Sequence, residues 1–87
     1  MKYESGEKIK AARKARGISQ VKLSEITGIN LGFLRNLEHG EKNLNTSKML
    51  TVYRLCNAMG CSLYDLLTDK DLIEEIEKYE EKNKKHV

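Results

Sequence analysis

No proline and no tryptophan occur in this 87-residue chain, and it has only two cysteines. Proline is the strongest helix breaker. Its absence, with 33% of residues charged, predicts a soluble and mostly helical protein. No apolar run approaches the ~20 residues that span a bilayer. The opening MKYESGEKIK lacks the apolar stretch of a secretory signal. The expectation is a cytoplasmic protein with no membrane partner. Cys56 and Cys61 are too far apart for a redox CxxC and do not fit a zinc knuckle, so they read as small core hydrophobes in a reducing compartment. No His/Cys/acid cluster has metal-ligand spacing, and His39 and His86 read as surface residues. No Ser/His/Asp, Cys/His or phosphate-loop arrangement appears, so no cofactor is expected and an enzyme is not. A single domain of this size buries about 60–65% of its unfolded surface, which leaves little room for a deep metabolite cavity.

What is present is unevenly distributed. Residues 1–44 carry nine Lys/Arg against five Asp/Glu, a net of +4. Residues 45–87 carry seven against eight, a net of −1. A basic half joined to a mixed-charge half points to an anionic partner for the first of them.

Helical punctuation runs through the whole chain. Ser5 is a candidate N-cap, with a first helix at Lys8 to Ala15 whose inward stripe is Ile9, Ala12 and Ala15. Gly17 stops it. Ser19 caps a second helix, Gln20 to Thr27, with Val21 at its start and Leu23 and Ile26 at helical spacing. Gly28-Ile29-Asn30 leaves no room for a loop, so the next helix, Leu31 to His39, must cross sharply. After Gly40, Glu41 to Thr46 is a polar connection. A fourth helix follows, about Ser47 to Met59, with Met49, Val52, Tyr53, Cys56 and Met59 as one apolar face. Ser62 and Asp65 form a capping box before Leu63, Leu66 and Leu67. Thr68, with Asp71 as its reciprocal partner, caps a last helix striped by Leu72, Ile73, Ile76 and Tyr79. That stripe reads as packing on the domain or as a dimer contact. Glu74–Lys78 and Glu80–Lys84 are favourable i,i+4 pairs. After Tyr79 the apolar period is lost, and the end is expected to fray.

Two short helices joined by a tight glycine turn are the usual device for laying a helix in the major groove of DNA. Helical geometry places Phe33, Leu34 and Leu37 on the core side of the third helix. Leu31, Gly32, Arg35, Asn36 and His39 fall opposite, and Glu38 at the edge of the buried face. Arg pairs bidentately with guanine and Asn with adenine, so Arg35 and Asn36 read as base contacts. Leu31 reads as a thymine-methyl contact or a contact to a protein partner, and Gly32 lets the helix come close. Gln20, Asn30 and the helix N-terminal amides are placed to bind phosphates.

At these residues the chain resembles the lambda-repressor/Cro-like (Cro/C1-type) helix-turn-helix family, also called xenobiotic-response-element-type regulators. The resemblance runs from Ile9 to about Leu67. It rests on IKAARKARGISQ, SQVKLSEITGIN, LRNLEHG and YRLCNAMGCSLYDLL. It implies an all-α fold, and the helical punctuation above gives a compact five-helix domain with a C-terminal helical extension. The domain would occupy 5–68, with the helix-turn-helix at about 19–39, and the extension 69–87. It also implies an ion pair between Arg13 and Glu38, a phosphate contact by Gln20, base-reading positions at Leu31, Gly32 and Asn36, and backbone contacts by Lys42 and Asn43. Departures are Ser24, where the family commonly has alanine, a slightly long connection without proline after Gly40, and apolar Leu31-Gly32 in place of polar readers. The expected function is sequence-specific binding of double-stranded DNA by a small transcriptional regulator, a repressor acting as a homodimer on a two-fold operator. The alternative is an antitoxin-like or anti-repressor module that uses the same helical surface on a protein partner.

Overall fold

The computed structural model describes residues 2–84. Its regular elements, among these residues, are α1 (Ser5–Arg16), α2 (Gln20–Thr27), α3 (Leu31–Glu38), a 3-10 turn (Leu44–Thr46), α4 (Met49–Met59), α5 (Leu63–Leu66) and α6 (Lys70–Lys84). The all-α architecture expected from the sequence is the one found. His86 and the last residues of the fraying segment lie outside the described residues.

The core is built from single faces of short helices. Ile9, Leu23, Leu34, Leu37, Leu44, Leu55 and Leu66 are completely buried, with Ile29, Val52, Cys56, Met59 and Leu67 nearly so. No helix is long enough to be stable alone in water. Helices α1 to α5 are each held by the face they contribute to this cluster.

Several expectations about individual residues need correction. Ser5 is not an N-cap. Glu4 holds that position without a side-chain bond, and α1 begins three residues earlier than the spacing implied. Ser5 is buried inside the first turn, where its hydroxyl accepts the Leu44 N–H at 3.4 Å. Ala15 is exposed rather than inward. In α2, Ile26 and Val21 are half exposed, and Thr27 is buried in their stead. Leu23 and Thr27, four apart, are the face that meets the core. Thr27 survives burial because its hydroxyl donates to the Leu23 carbonyl at 2.7 Å and accepts the Ile29 N–H at 3.2 Å.

The fourth helix is rotated from its expected face. Leu55 is buried, while Met49 and Tyr53 are about half exposed. A contiguous apolar run offers two faces, and contact with α2 and α5 selects one. Leu44, in what read as a polar connection, is fully buried and fixes the 3-10 turn to the core.

Thr68 does not cap the last helix. Asp69 does, accepting the N–H groups of Asp71 at 3.0 Å and Leu72 at 3.2 Å. Thr68 is taken by Asn45, whose Oδ1 accepts the Thr68 and Asp69 N–H groups and whose Nδ2 donates to the Thr68 hydroxyl. One side chain thus ties the post-α3 connection to the entry of α6. The Ser62–Asp65 box is formed, with the Asp65 carboxylate accepting the Ser62 N–H at 2.9 Å.

Helix α6 leans on the domain through half-buried Leu72, Ile73 and Ile76. Tyr79, expected to close that stripe, is 69% exposed. The helix nevertheless continues to Lys84. Lys78 lies 3.6 Å from Glu74, while Glu80 accepts the Tyr64 hydroxyl at 2.8 Å. The Lys84 side chain lies outside the described residues.

Candidate nucleic-acid interface

The geometry of the helix-turn-helix follows from local chemistry. Ser19 accepts the Lys22 N–H at 3.0 Å and starts α2. Gly28 ends it with φ 75°, a conformation that a side chain would strain. Asn30 accepts the Phe33 N–H at 3.1 Å and starts α3. Ile29 fills the corner between them. Ser24, the polar departure, donates to the Ile29 carbonyl across that corner, so its hydroxyl is satisfied where alanine would simply pack.

The back of α3 is held by three independent means. Leu34 and Leu37 are buried, and Phe33 packs against the core at intermediate exposure. Gly6 lets α1 come so close that an added Cβ would sit 2.5 Å from the Leu37 carbonyl oxygen and 2.7 Å from that of Glu38. The Arg13 guanidinium meets the Glu38 carboxylate through two bonds, Nε to Oε2 at 2.8 Å and Nη2 to Oε1 at 3.0 Å. The Glu38 side chain is 2% exposed and that of Arg13 11%. The hydrogen bond to Glu38 raises the Arg13 pKa above its already high ordinary value, against the opposing effect of burial. The guanidinium therefore stays charged. Its Nη1 donates to the Ile18 carbonyl at 2.9 Å, which also secures the α1–α2 connection.

The front of α3 is free. Gly32, Arg35 and His39 are exposed, and Leu31 and Asn36 are half-buried at its margins. Arg35 has no side-chain hydrogen bond or ion pair within the described residues, so its donors are available to a ligand. The same holds for the amide of Asn36. Leu31 is less anomalous than the sequence implied, because its side chain is partly covered.

The flanking residues are not equally free. Asn30 uses its Oδ1 in capping and keeps its NH2 group. Asn43 spends its Oδ1 on the backbone and side chain of Asn45, so its first task is to build the 3-10 turn. Lys42 is exposed. The Asn36 carbonyl accepts the N–H groups of Glu41 at 2.9 Å and Lys42 at 3.3 Å, which folds this lysine back beside α3. Gln20, half-buried, donates its Nε2 to Glu38 Oε1 at 3.1 Å.

One part of the surface went unrecognised in the sequence. A groove of about 460 Å³ is lined by Phe33, Lys42, Asn43, Thr46, Ser47, Lys48 and Thr51. It opens at the start of α4, which has no side-chain cap and no acidic residue in its first turn. The Thr46 and Ser47 hydroxyls donate to the Asn43 carbonyl at 3.2 and 3.0 Å, which leaves two lysines, the Thr51 hydroxyl and the positive end of a helix dipole as an arrangement suited to an anion. The available signal was an uncapped helix start next to two basic residues.

The two thiols take no part in this surface. Burial pushes the Cys56 thiol up to about 12, and Cys61 is raised for the same reason. Both are held protonated and poorly nucleophilic at neutral pH.

The helix-turn-helix domain family matches residues 6–72. Among solved structures, the chain is similar to the restriction-modification controller protein C.AhdI from Aeromonas hydrophila. The TM-score is 0.64 at 22% identity, covering 72% of this chain and 91% of that one. At that identity the likeness is one of fold. No curated protein matches the chain in sequence. No helix among the described residues is long and apolar enough to cross a membrane.

Proposed function

This chain belongs to the helix-turn-helix domain family, and on that premise we propose that it is a small transcriptional repressor that binds double-stranded DNA sequence-specifically, as a homodimer on a two-fold operator. It acts by occupancy, as a binding protein and not as an enzyme. The observation that carries this reading is the division of α3 into a fixed back and a free front. Arg35 and Asn36 present unused donors on a helix that the core, Gly6 and the Arg13–Glu38 pair hold in place. A base reader needs such rigidity, since a misplaced fork loses its bidentate geometry.

Around that front, Gln20 and Asn30 contribute side-chain amides, and Lys42 with the groove at the start of α4 contributes charge and the Thr51 hydroxyl. These suit the two phosphate backbones that border a major groove. Gly32 lets the start of α3 approach the bases, and Leu31 offers apolar contact to a thymine methyl. Controller activity in restriction-modification is stated of C.AhdI and is one biological setting in which a domain of this fold acts.

The dimeric part of the reading is supported by a groove of about 410 Å³ between α4 and α6, lined by Met49, Tyr53, Leu63, Ile76 and Tyr79 with Glu75 and Glu80. A half-site reader of this size gains both affinity and spacing specificity from a second copy. The protein-partner alternative draws support from Leu31 and Phe33, both half-buried, with Phe33 also lining the groove at the start of α4.

Selection of bound duplexes from a random pool tests the proposal. Enrichment of a symmetric sequence with half-sites about one helical turn apart is expected. Failure to enrich any sequence would overturn it. On the selected duplex, Arg35→Ala and Asn36→Ala should each cost about 1–3 kcal/mol of discrimination at one base position. Affinity should fall steeply between roughly 50 and 200 mM salt.

A further inference from the structure

Buried Glu38 makes one bond more than the pairing with Arg13 needs. Its Oε1 accepts from Arg13 Nη2 and also from Gln20 Nε2, at 3.0 and 3.1 Å. Gln20 is the first residue of α2, one of the residues assigned above to a DNA phosphate, and this is its one side-chain hydrogen bond within the described residues. A carboxylate only accepts hydrogen bonds. It therefore forces the amide to turn its nitrogen, not its oxygen, toward the protein. The amide is planar, so using one N–H fixes the direction of the other.

We propose that Glu38 is a positioning residue for DNA binding, acting through Gln20, whose amide it holds with one N–H directed to a backbone phosphate. This rests on the reading of Gln20 as a phosphate ligand. The bond removes rotamer freedom that a long, half-exposed side chain would otherwise lose on binding. It also excludes the flipped amide, whose oxygen would face the phosphate. Arg13 makes the arrangement electrostatically tolerable. With its guanidinium paired to the carboxylate, the site has no net charge, and a carboxylate near the DNA does not repel it. Leu31, at the opening of α3, offers Gln20 no hydrogen bond, so the orientation depends on Glu38.

The test must separate positioning from stability. Removing one member of a buried ion pair destabilises a fold, whereas replacing both by apolar residues of similar volume is often neutral. Accordingly the pair is replaced as Arg13→Met with Glu38→Leu, and Gln20→Ala is made in both backgrounds. Affinity is measured by fluorescence anisotropy on two 20-base-pair duplexes of unrelated sequence at low salt, at a temperature where circular dichroism shows each variant folded.

In the native background Gln20→Ala should weaken binding by about fivefold on both duplexes, as loss of one phosphate bond would. The paired replacement should give a similar loss, and Gln20→Ala should add nothing to it. If Gln20→Ala has no effect in the native background, the phosphate reading of Gln20 fails and the proposal with it. If Gln20→Ala costs the same in both backgrounds, that reading stands and the positioning role is overturned.

Should the paired replacement not fold, nuclear magnetic resonance on the native protein decides. One proton of the Gln20 side-chain amide should be protected from exchange in the free protein, and the second should become protected on addition of duplex. Two equally fast-exchanging protons in the free protein would refute the role of Glu38.

Discussion

Helices α3 and α6 are both amphipathic, yet they are held in opposite ways. Helix α3 has eight residues and is fixed by buried leucines, a glycine contact and a buried charge pair. Helix α6 has fifteen, and it rests on three half-buried side chains, the Asn45 clamp at its entry and the exposed Tyr64–Glu80 bond. Length contributes little here. What positions a helix is the number of independent constraints that agree on one placement. The difference also matches the charge division of the chain. The over-determined helix lies in the basic half, where precise presentation to a polyanion matters. The lightly held helix lies in the half of mixed charge.

Four measurements would break or sharpen that contrast. The largest effect is expected from Glu38→Ala, which leaves the Arg13 guanidinium buried without its partner. A loss of about 3–5 kcal/mol is expected, which at ~4 °C or more per kcal/mol lowers the melting temperature by roughly 12 °C or more. An unchanged melting temperature would mean that the leucines and the Gly6 contact hold α3 without the charge pair.

Next comes Gly6→Ala. The added methyl meets backbone oxygens that cannot swing aside, so α1 and α3 must separate. About 1–3 kcal/mol of destabilisation is expected by chemical denaturation. A neutral result would show that the close approach is dispensable.

For α6, Ile76→Ala should cost about 1 kcal/mol, below the ~2–5 kcal/mol typical of a fully buried site. Hydrogen exchange should show the loss confined to α6, with α1–α3 protected as before. Spread of the effect into α3 would make the two helices one cooperative unit.

The smallest effect concerns Tyr64. Its bond to the Glu80 carboxylate raises the phenol to about 12. The protonated phenol is the bonded form. Its contribution is present below the ordinary tyrosine value near 10 and is lost as pH rises through about 12. Phenolate absorbance, taken as the difference against Tyr64→Phe, should titrate near 12 in the native protein and move toward 10 in Glu80→Gln. The melting temperature of Tyr64→Phe at neutral pH should barely change, since the bond lies at the surface.

The helix-turn-helix was readable because its signals are local. Ser19 and Asn30 cap, Gly28 turns, and Leu34 and Leu37 repeat at helical spacing. Errors arose where a distant residue decided the outcome. Thr68 has the right chemistry for an N-cap, but Asn45, remote in sequence, takes its backbone and hydroxyl. Met49 and Tyr53 have the right period for the core, but contact with α2 and α5 turns Leu55 inward instead. Leu44 sits in a polar segment with no period to betray it.

Composition, caps and spacing by themselves determined that this chain is helical, that glycines end its helices after α1, α2 and α4, and which face of α3 is free. Those properties depend on residues within a turn or two of one another. The tertiary structure alone decided which face of α4 is buried, that Asn45 ties the domain to α6, and that Glu38 shares its carboxylate between Arg13 and Gln20. Each of these is set by packing between elements far apart in sequence, where competing partners of equal chemistry are separated only by distance.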